Sequence, residues 1–198
     1  MILEGIVTTV SPEDAVNIAP MGPHVGAMLD RFVLRPFRTA QTYRNLKARG
    51  EGVLHVIDDV LLLAKAALGP VEPLPAMFPA MTVRGFVLED CCRYYEFRVA
   101  SLDDHEERTR IEAEVLQSGR LRDFFGFNRA KHAVLEAAIL ATRTHLLPLD
   151  EIEAEYRKLA VLVSKTGGQQ EQQAFALLRD YVAGKTPNAA SGEASAPR

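Results

Sequence analysis

At 198 residues, 47% hydrophobic and 25% charged, the chain has the makeup of an ordinary soluble globular protein, long enough for one good core or a core with a small appendage. No apolar run reaches bilayer length and the first residues are strand-like, so neither a membrane span nor a signal segment is expected, and the cytoplasm is the expected compartment. A formal net charge of -3 argues against a general grip on nucleic acid, and the two adjacent cysteines, Cys91 and Cys92, suit packing in a reducing compartment better than a disulfide or a metal cage.

Residues 2–10 (ILEGIVTTV) read as a strand, Ser11-Pro12-Glu13-Asp14 as a turn, and 15–21 (AVNIAPM) as the return strand of a hairpin. Pro20 lacks an N–H and is expected to end the ladder. The irregular edge leaves backbone of Asn17, Ile18 and Ala19 open to a flat polar heterocycle, or is a plain edge with an exposed asparagine. A third strand, 31–34 (RFVL), leads into LRPFRTAQTYRNL, where Thr39 reads as the N-cap of a helix closed by Gly50. Thr39 and Thr42 lie three apart at the helix mouth, Asn45 one turn further on, and arginines flank them. A helix start has free N–H groups and partial positive charge, so these residue types make an anion site, a phosphate cradle. Spacing alone serves a merely capped surface helix equally well.

A fourth strand is expected at 52–57 (GVLHVI), followed by Asp58 as N-cap of an apolar helix at 59–68, whose sides belong under the sheet or at a subunit interface. Four prolines make 69–79 an extended segment without regular structure. Strands follow at 83–88, 92–100 and 108–117, the last with Thr109, Ile111, Ala113 and Val115 inward. The acidic stretch 103–107 reads as a solvated turn rather than a cation loop. About seven mostly antiparallel strands with short plug helices point to a barrel or a strongly coiled sheet.

Beyond Gly119 an aromatic, basic linker leads to Asn128, which can cap a helix at 129–145. Pro148 and Asp150 restart a helix at 151–164, with Glu153 completing a capping box, and a third helix at 169–183 ends at Gly184. The small, polar residues 185–198 are expected to be disordered. No dinucleotide fingerprint, Walker loop, zinc-protease motif or nucleophile elbow occurs, and the five histidines lack metal-ligand spacing, so no metal site is expected. If the chain is an enzyme, a cofactor supplies the chemistry.

The order strand, NIAPMG, strand, LRPFRTAQTYRNL, strand, GVLHVIDD resembles the flavin-reductase-like FMN-binding split barrels, and more closely their DUF447 branch, which the segment FGFNRAKHAVLEAAILATR also resembles. The resemblance implies an α+β fold: a mostly antiparallel split β-barrel with plug helices over 1–119, then a C-terminal three-helix bundle over 120–184. It implies FMN as cofactor, with Arg35, Thr39, Thr42 and Asn45 on the phosphate side and Asn17, Ala19 and Pro20 on the ring side. It also implies a homodimer that shares the pocket; the net charge and the lack of a long apolar run already set aside nucleic acid and membrane as partners. Arg129, at a helix start beside Phe124, Phe125 and Phe127, is a candidate for the flavin or a substrate anion in the same or a partner subunit, unless that helix simply packs on the barrel. The implied function is a flavin-dependent oxidoreductase, with a link to pterin one-carbon chemistry; the alternative is a non-catalytic FMN-binding or interaction module.

Overall fold

Every strand pairing within residues 1–185, the part described by the computed structural model, is antiparallel. The strands are β1 Gly5–Val10, β2 Val16–Met21, β3 His24–Val25, β4 Arg31–Leu34, β5 Glu51–Val56, β6 Met77–Pro79, β7 Phe86–Leu88, β8 Arg93–Asp103 and β9 Arg110–Arg120. Helix α1 (Gln41–Arg49) joins β4 to β5 and α2 (Val60–Leu68) follows β5, while α3 (Arg129–Ala141), α4 (Leu149–Thr166) and α5 (Gln169–Ala183) form the C-terminal layer.

Seven strands form one sheet in the order β2-β1-β5-β8-β9-β4-β3. Its far end curls back to the residues ahead of β1: Ile2 bridges His24, Leu3 N donates to Pro23 O at 3.1 Å, and Val25 N donates to Met1 O at 2.9 Å. Closure leaves β2 as an edge strand, paired only with β1. This is the split barrel expected from the resemblance, with the helical layer added.

Two cores result because the shared strands are buried on both faces. Inside the barrel, Val7, Phe32, Leu34, Leu54, Phe97 and Ile111 meet Tyr43 and Leu46 of α1, which plugs it. Outside, Ile6 and Val53 pack with α2 and the alanine face of α3, where small side chains allow close approach. His55, fully buried, locks this outer face: Ile6 O lies 3.2 Å from Nδ1, and Leu88 N donates to Nε2 at 3.1 Å. Buried Glu96 accepts from Met81 N, Thr82 N and the Thr82 hydroxyl, pinning the β6–β7 hairpin to β8.

Several local expectations are corrected. The ladder runs through Pro20 to Met21, because β2 is an edge strand and an edge tolerates a residue without an N–H. The N-cap of α1 is Ala40, with no side-chain cap bond, so Thr39 sits one residue outside the helix in a turn closed by Ala40 N and Phe37 O. Gly50 ends α1 in the left-handed region, φ 69°, as expected of a glycine there. Asp59, not Asp58, caps α2, its carboxylate accepting from Leu61 N and Leu62 N, because Asp58 is drawn off by Arg122. The proline-rich segment still forms β6, since an extended chain needs only one partner, here β7. Helix α3 stops at Ala141, four residues short of the expected end, and α4 starts at Leu149 behind Pro148 without the capping box assigned to Glu153. A glutamate of that kind belongs to α5, where Glu171 accepts from Gly168 N at 2.8 Å. Cys91 and Cys92 are buried and free, just ahead of β8 rather than in it.

Two corrections bear on function. The apolar α2 packs against β2, α3 and α5 of its own chain, so its apolarity no longer argues for a subunit interface. The acidic 103–107 turn is not simply solvated, because Asp104 accepts from the Tyr43 hydroxyl and from Lys47 Nζ, both at 2.6 Å, and ties the turn to α1. Lys47, first, and then Tyr43 hold the Asp104 carboxyl down at about 2. Residues 186–198, and with them all but Lys185 of the expected disordered tail, lie outside the described residues.

Candidate functional site: an arginine-ringed helix mouth

The corner between β4 and α1 is held from three sides. Thr109 grips it through N and Oγ1, both donating to Pro36 O, while Phe37 bridges Arg108 and Arg38 N donates to Glu107 O at 3.0 Å. Behind it, Asn45 Nδ2 donates to Thr9 Oγ1 at 3.0 Å, Asn17 Nδ2 to Thr42 Oγ1 at 3.1 Å, and Gln41 Nε2 to Asn45 Oδ1 at 2.7 Å. Thr9, Thr42 and Asn45 are buried, so this small polar network fastens α1 to the β1–β2 hairpin. Replacing Asn45 with Leu keeps the volume but strands buried partners, and should lower the unfolding free energy in urea by about 2 kcal/mol. An unchanged midpoint would mean the network is ornamental.

In front, the corner is open. Gln41 N, Thr42 N and Tyr43 N lie in the first turn, where no intrahelical acceptor exists, and no side chain caps them. Arg44 Nη2 donates to Thr39 O at 2.9 Å and Arg108 Nε to Arg35 O at 3.3 Å, so two guanidiniums are seated on carbonyls of the corner itself with further N–H groups to offer. Arg108 also stacks 5.0 Å from the Phe37 ring. Arg35 and Arg38 are exposed beside them. Among the described residues none of these four arginines has a carboxylate partner. Asp104, which feels the charge of Arg38, is itself bonded to Lys47 and Tyr43.

Of the residues singled out in the sequence, Arg35 and Thr39 lie on the exposed front of the corner, and Thr42 and Asn45 behind it. Asn17 joins them from β2, and Ala19 and Pro20 continue along that edge, opposite Val7 and Ile6. Arg129 is not brought to the corner: it opens α3, which packs on α2, α4 and α5.

Residues 3–122 match the model of the N-terminal domain of a protein of unknown function, DUF447, and residues 128–180 match the model of the protein of unknown function DUF447. The chain belongs to the DUF447 family. Among solved structures, this DUF447 protein is similar to an FMN-bound DUF447 protein of Methanosarcina mazei, at 23% identity and a TM-score of 0.79, over 91% of this chain and 94% of that one. Flavoredoxin of Methanosarcina acetivorans matches at 12% identity and a TM-score of 0.52, over 60% of this chain and 68% of that one. The styrene monooxygenase flavin reductase of Pseudomonas putida S12 matches at 13% and 0.53, over 61% and 82%. No curated protein matches. The partial matches cover about the share of the DUF447 chain that its barrel occupies, and the longer one extends over the helices as well.

Arg44 was among the arginines that the sequence places around Thr39 and Thr42, though not singled out as a ligand. Arg108 was missed, since it arrives from the β8–β9 turn, 73 residues downstream. Two grooves of this DUF447 protein lie away from the corner, one of about 380 Å³ between α4 and α5 and one of about 470 Å³ between α2 and the proline segment.

Proposed function

We propose that this DUF447 protein is an FMN-binding flavoprotein that grips the phosphate at the mouth of α1, and that it works as a flavin-dependent oxidoreductase. One observation carries the reading: a helix N-terminus without a side-chain cap, ringed by four arginines that lack carboxylate partners among the described residues. The donor set fits the group. A phosphate dianion takes up N–H groups and guanidiniums together, the Thr39 hydroxyl suits the polyol, and the edge of β2 at Asn17, Ala19 and Pro20 offers backbone to a flat ring. Thr42 and Asn45 serve by positioning the corner, since both are buried in the network behind it. FMN, when bound, supplies the electron chemistry. The chain's part is to bind, orient and shield it.

The reading carries a homodimer and a cytoplasmic setting with it, the latter in keeping with two free, buried cysteines. Among the described residues no helix is long and apolar enough to cross a membrane. A pterin-linked one-carbon substrate stays within the reading through the family resemblance alone.

Titration of the apo-protein with FMN and with riboflavin tests the cradle. Arg35→Ala and Arg108→Ala should each weaken FMN by about tenfold or more, because charge-assisted bonds to phosphate are lost, and leave riboflavin unchanged. Equal losses for both ligands would place the phosphate elsewhere. Bleaching of the bound flavin by NADH or NADPH, followed by turnover with an acceptor, separates the oxidoreductase from a module that only holds FMN.

A further inference from the structure

Helices α4 and α5 are joined through Gly167 and Gly168 and both pack on α3, and toward the ends farthest from that joint a groove of about 380 Å³ opens between them. Its walls are two helical stripes. On α4, Glu153, Tyr156, Arg157 and Ala160 follow the i, i+3, i+4, i+7 spacing that gathers side chains on one face, and Phe175, Arg179, Val182 and Ala183 make the matching face of α5. Two such faces close on each other when every position is apolar. Here each carries an exposed arginine, one per wall, and two like charges that stay hydrated hold the faces apart. Beneath them the Tyr156 and Phe175 rings lie 5.5 Å apart, tilted by 35°. The Tyr156 hydroxyl donates to Ala137 O at 2.7 Å, so the tyrosine offers the groove its ring and no free hydroxyl. Arg157 has no carboxylate partner among the described residues, and Arg179 has only an exposed contact, 3.7 Å from Nε to Asp180. With Glu153 as the acid among the lining residues, the groove keeps a surplus of one positive charge.

We propose that this groove binds a small apolar molecule that carries a single carboxylate. Small-molecule sites hold about 300–1,000 Å³ and combine mostly apolar walls with a few placed polar groups, and the groove has that size and that makeup. The two rings, with Ala160, Val182 and Ala183, take the hydrocarbon part. Arg157 and Arg179 take the carboxylate from opposite walls, since a planar guanidinium matches two carboxylate oxygens. The charge selects the ligand. A cation would be repelled by both arginines, whereas a bare hydrocarbon would leave them nothing but water to bond. The site is built from α4 and α5 alone, away from the mouth of α1, so it stands whether or not the chain binds a flavin.

Isothermal titration calorimetry of the full chain with octanoate, and with octanol as its uncharged match, tests the proposal. Octanoate should bind at a single site per chain, about tenfold or more tightly than octanol, because charge-assisted bonds to the guanidiniums are made only by the carboxylate. Arg157→Gln/Arg179→Gln, a change at two exposed positions, should weaken octanoate by about tenfold or more and leave octanol almost as it was. Ala160→Phe, which fills the groove, should abolish binding of both; should that variant fail to fold, Ala183→Phe at an exposed position fills it from the helix end instead. Equal affinities of wild type for octanoate and octanol, octanoate binding that survives the filled groove, or no octanoate bound at millimolar concentration would each overturn the proposal. So would a dimer that falls apart on Arg157→Gln/Arg179→Gln, which gives the groove to a second copy, or octanoate binding that appears only once residues 186–198 are removed, which gives it to the chain itself.

Discussion

Asp58→Ala is expected to cost this DUF447 protein about 2 kcal/mol of unfolding free energy, since it removes a buried acceptor from the Arg122 guanidinium and strands Phe125 N. The carboxylate is 8% exposed and accepts two bonds from Arg122 and one from Phe125 N. Lys131 Nζ, which donates to the Asp58 carbonyl at 2.7 Å, continues the chain of contacts to Glu171 of α5 at 2.8 Å. The barrel, the aromatic linker that carries Arg122 and Phe125, and the helical layer are therefore clamped at one point. The bond from Arg122, with further help from Phe125 N and against the opposing effect of burial, holds the Asp58 carboxyl at about 2 instead of its usual 3.8. A folded-state value below the unfolded one stabilises above the unfolded pKa, so this contribution is complete above about pH 4 and fades as the pH falls through 2. Urea unfolding at pH 7 reads the loss directly. A decrease below 1 kcal/mol would mean that Asp90 alone can hold Arg122, and that the clamp is not where the two halves meet.

His55 should make the protein sensitive to mild acid. Ile6 O can only accept and Leu88 N can only donate, so the ring is neutral with its proton on Nδ1. Burial pushes the imidazole from 6.5 down to about 4, only partly opposed by the Ile6 carbonyl. Here the unfolded chain takes up the proton first. Stability is whole above about pH 6.5 and declines as the pH falls toward 4, by about 3 kcal/mol in all at 1.36 kcal/mol per unit. His55→Gln, which does not titrate, should flatten the slope of urea stability between pH 6.5 and 4.5 even if it starts lower. Parallel slopes for variant and wild type would show that another group titrates instead.

What could be read from residues in order was whatever a segment settles with its own neighbours. Gly50 ending α1, Asn128 capping α3, the bounds of α5 and the β1–β2 hairpin each depend on bonds that close within a few positions, and a corner rich in hydroxyls and guanidiniums was visible at 34–46 for the same reason. Through the family resemblance the split barrel with its helical layer was legible as well. Competition between distant groups was not. Two adjacent aspartates look equally able to cap α2, and only Arg122, arriving from 64 residues away, takes Asp58 and leaves the cap to Asp59. Whether α2 would bury its apolar sides within the chain or against another depended on where α3 and α5 fold back. Thr42 and Asn45 look like an exposed stack at a helix mouth until Thr9 and Asn17 close over them, while Arg108 reaches the corner only because β8 and β9 pair over their whole length and deliver their turn to it. A strand or a cap is chosen by local geometry, whereas the partner of a buried charge is chosen by which distant donor the closed barrel brings nearest.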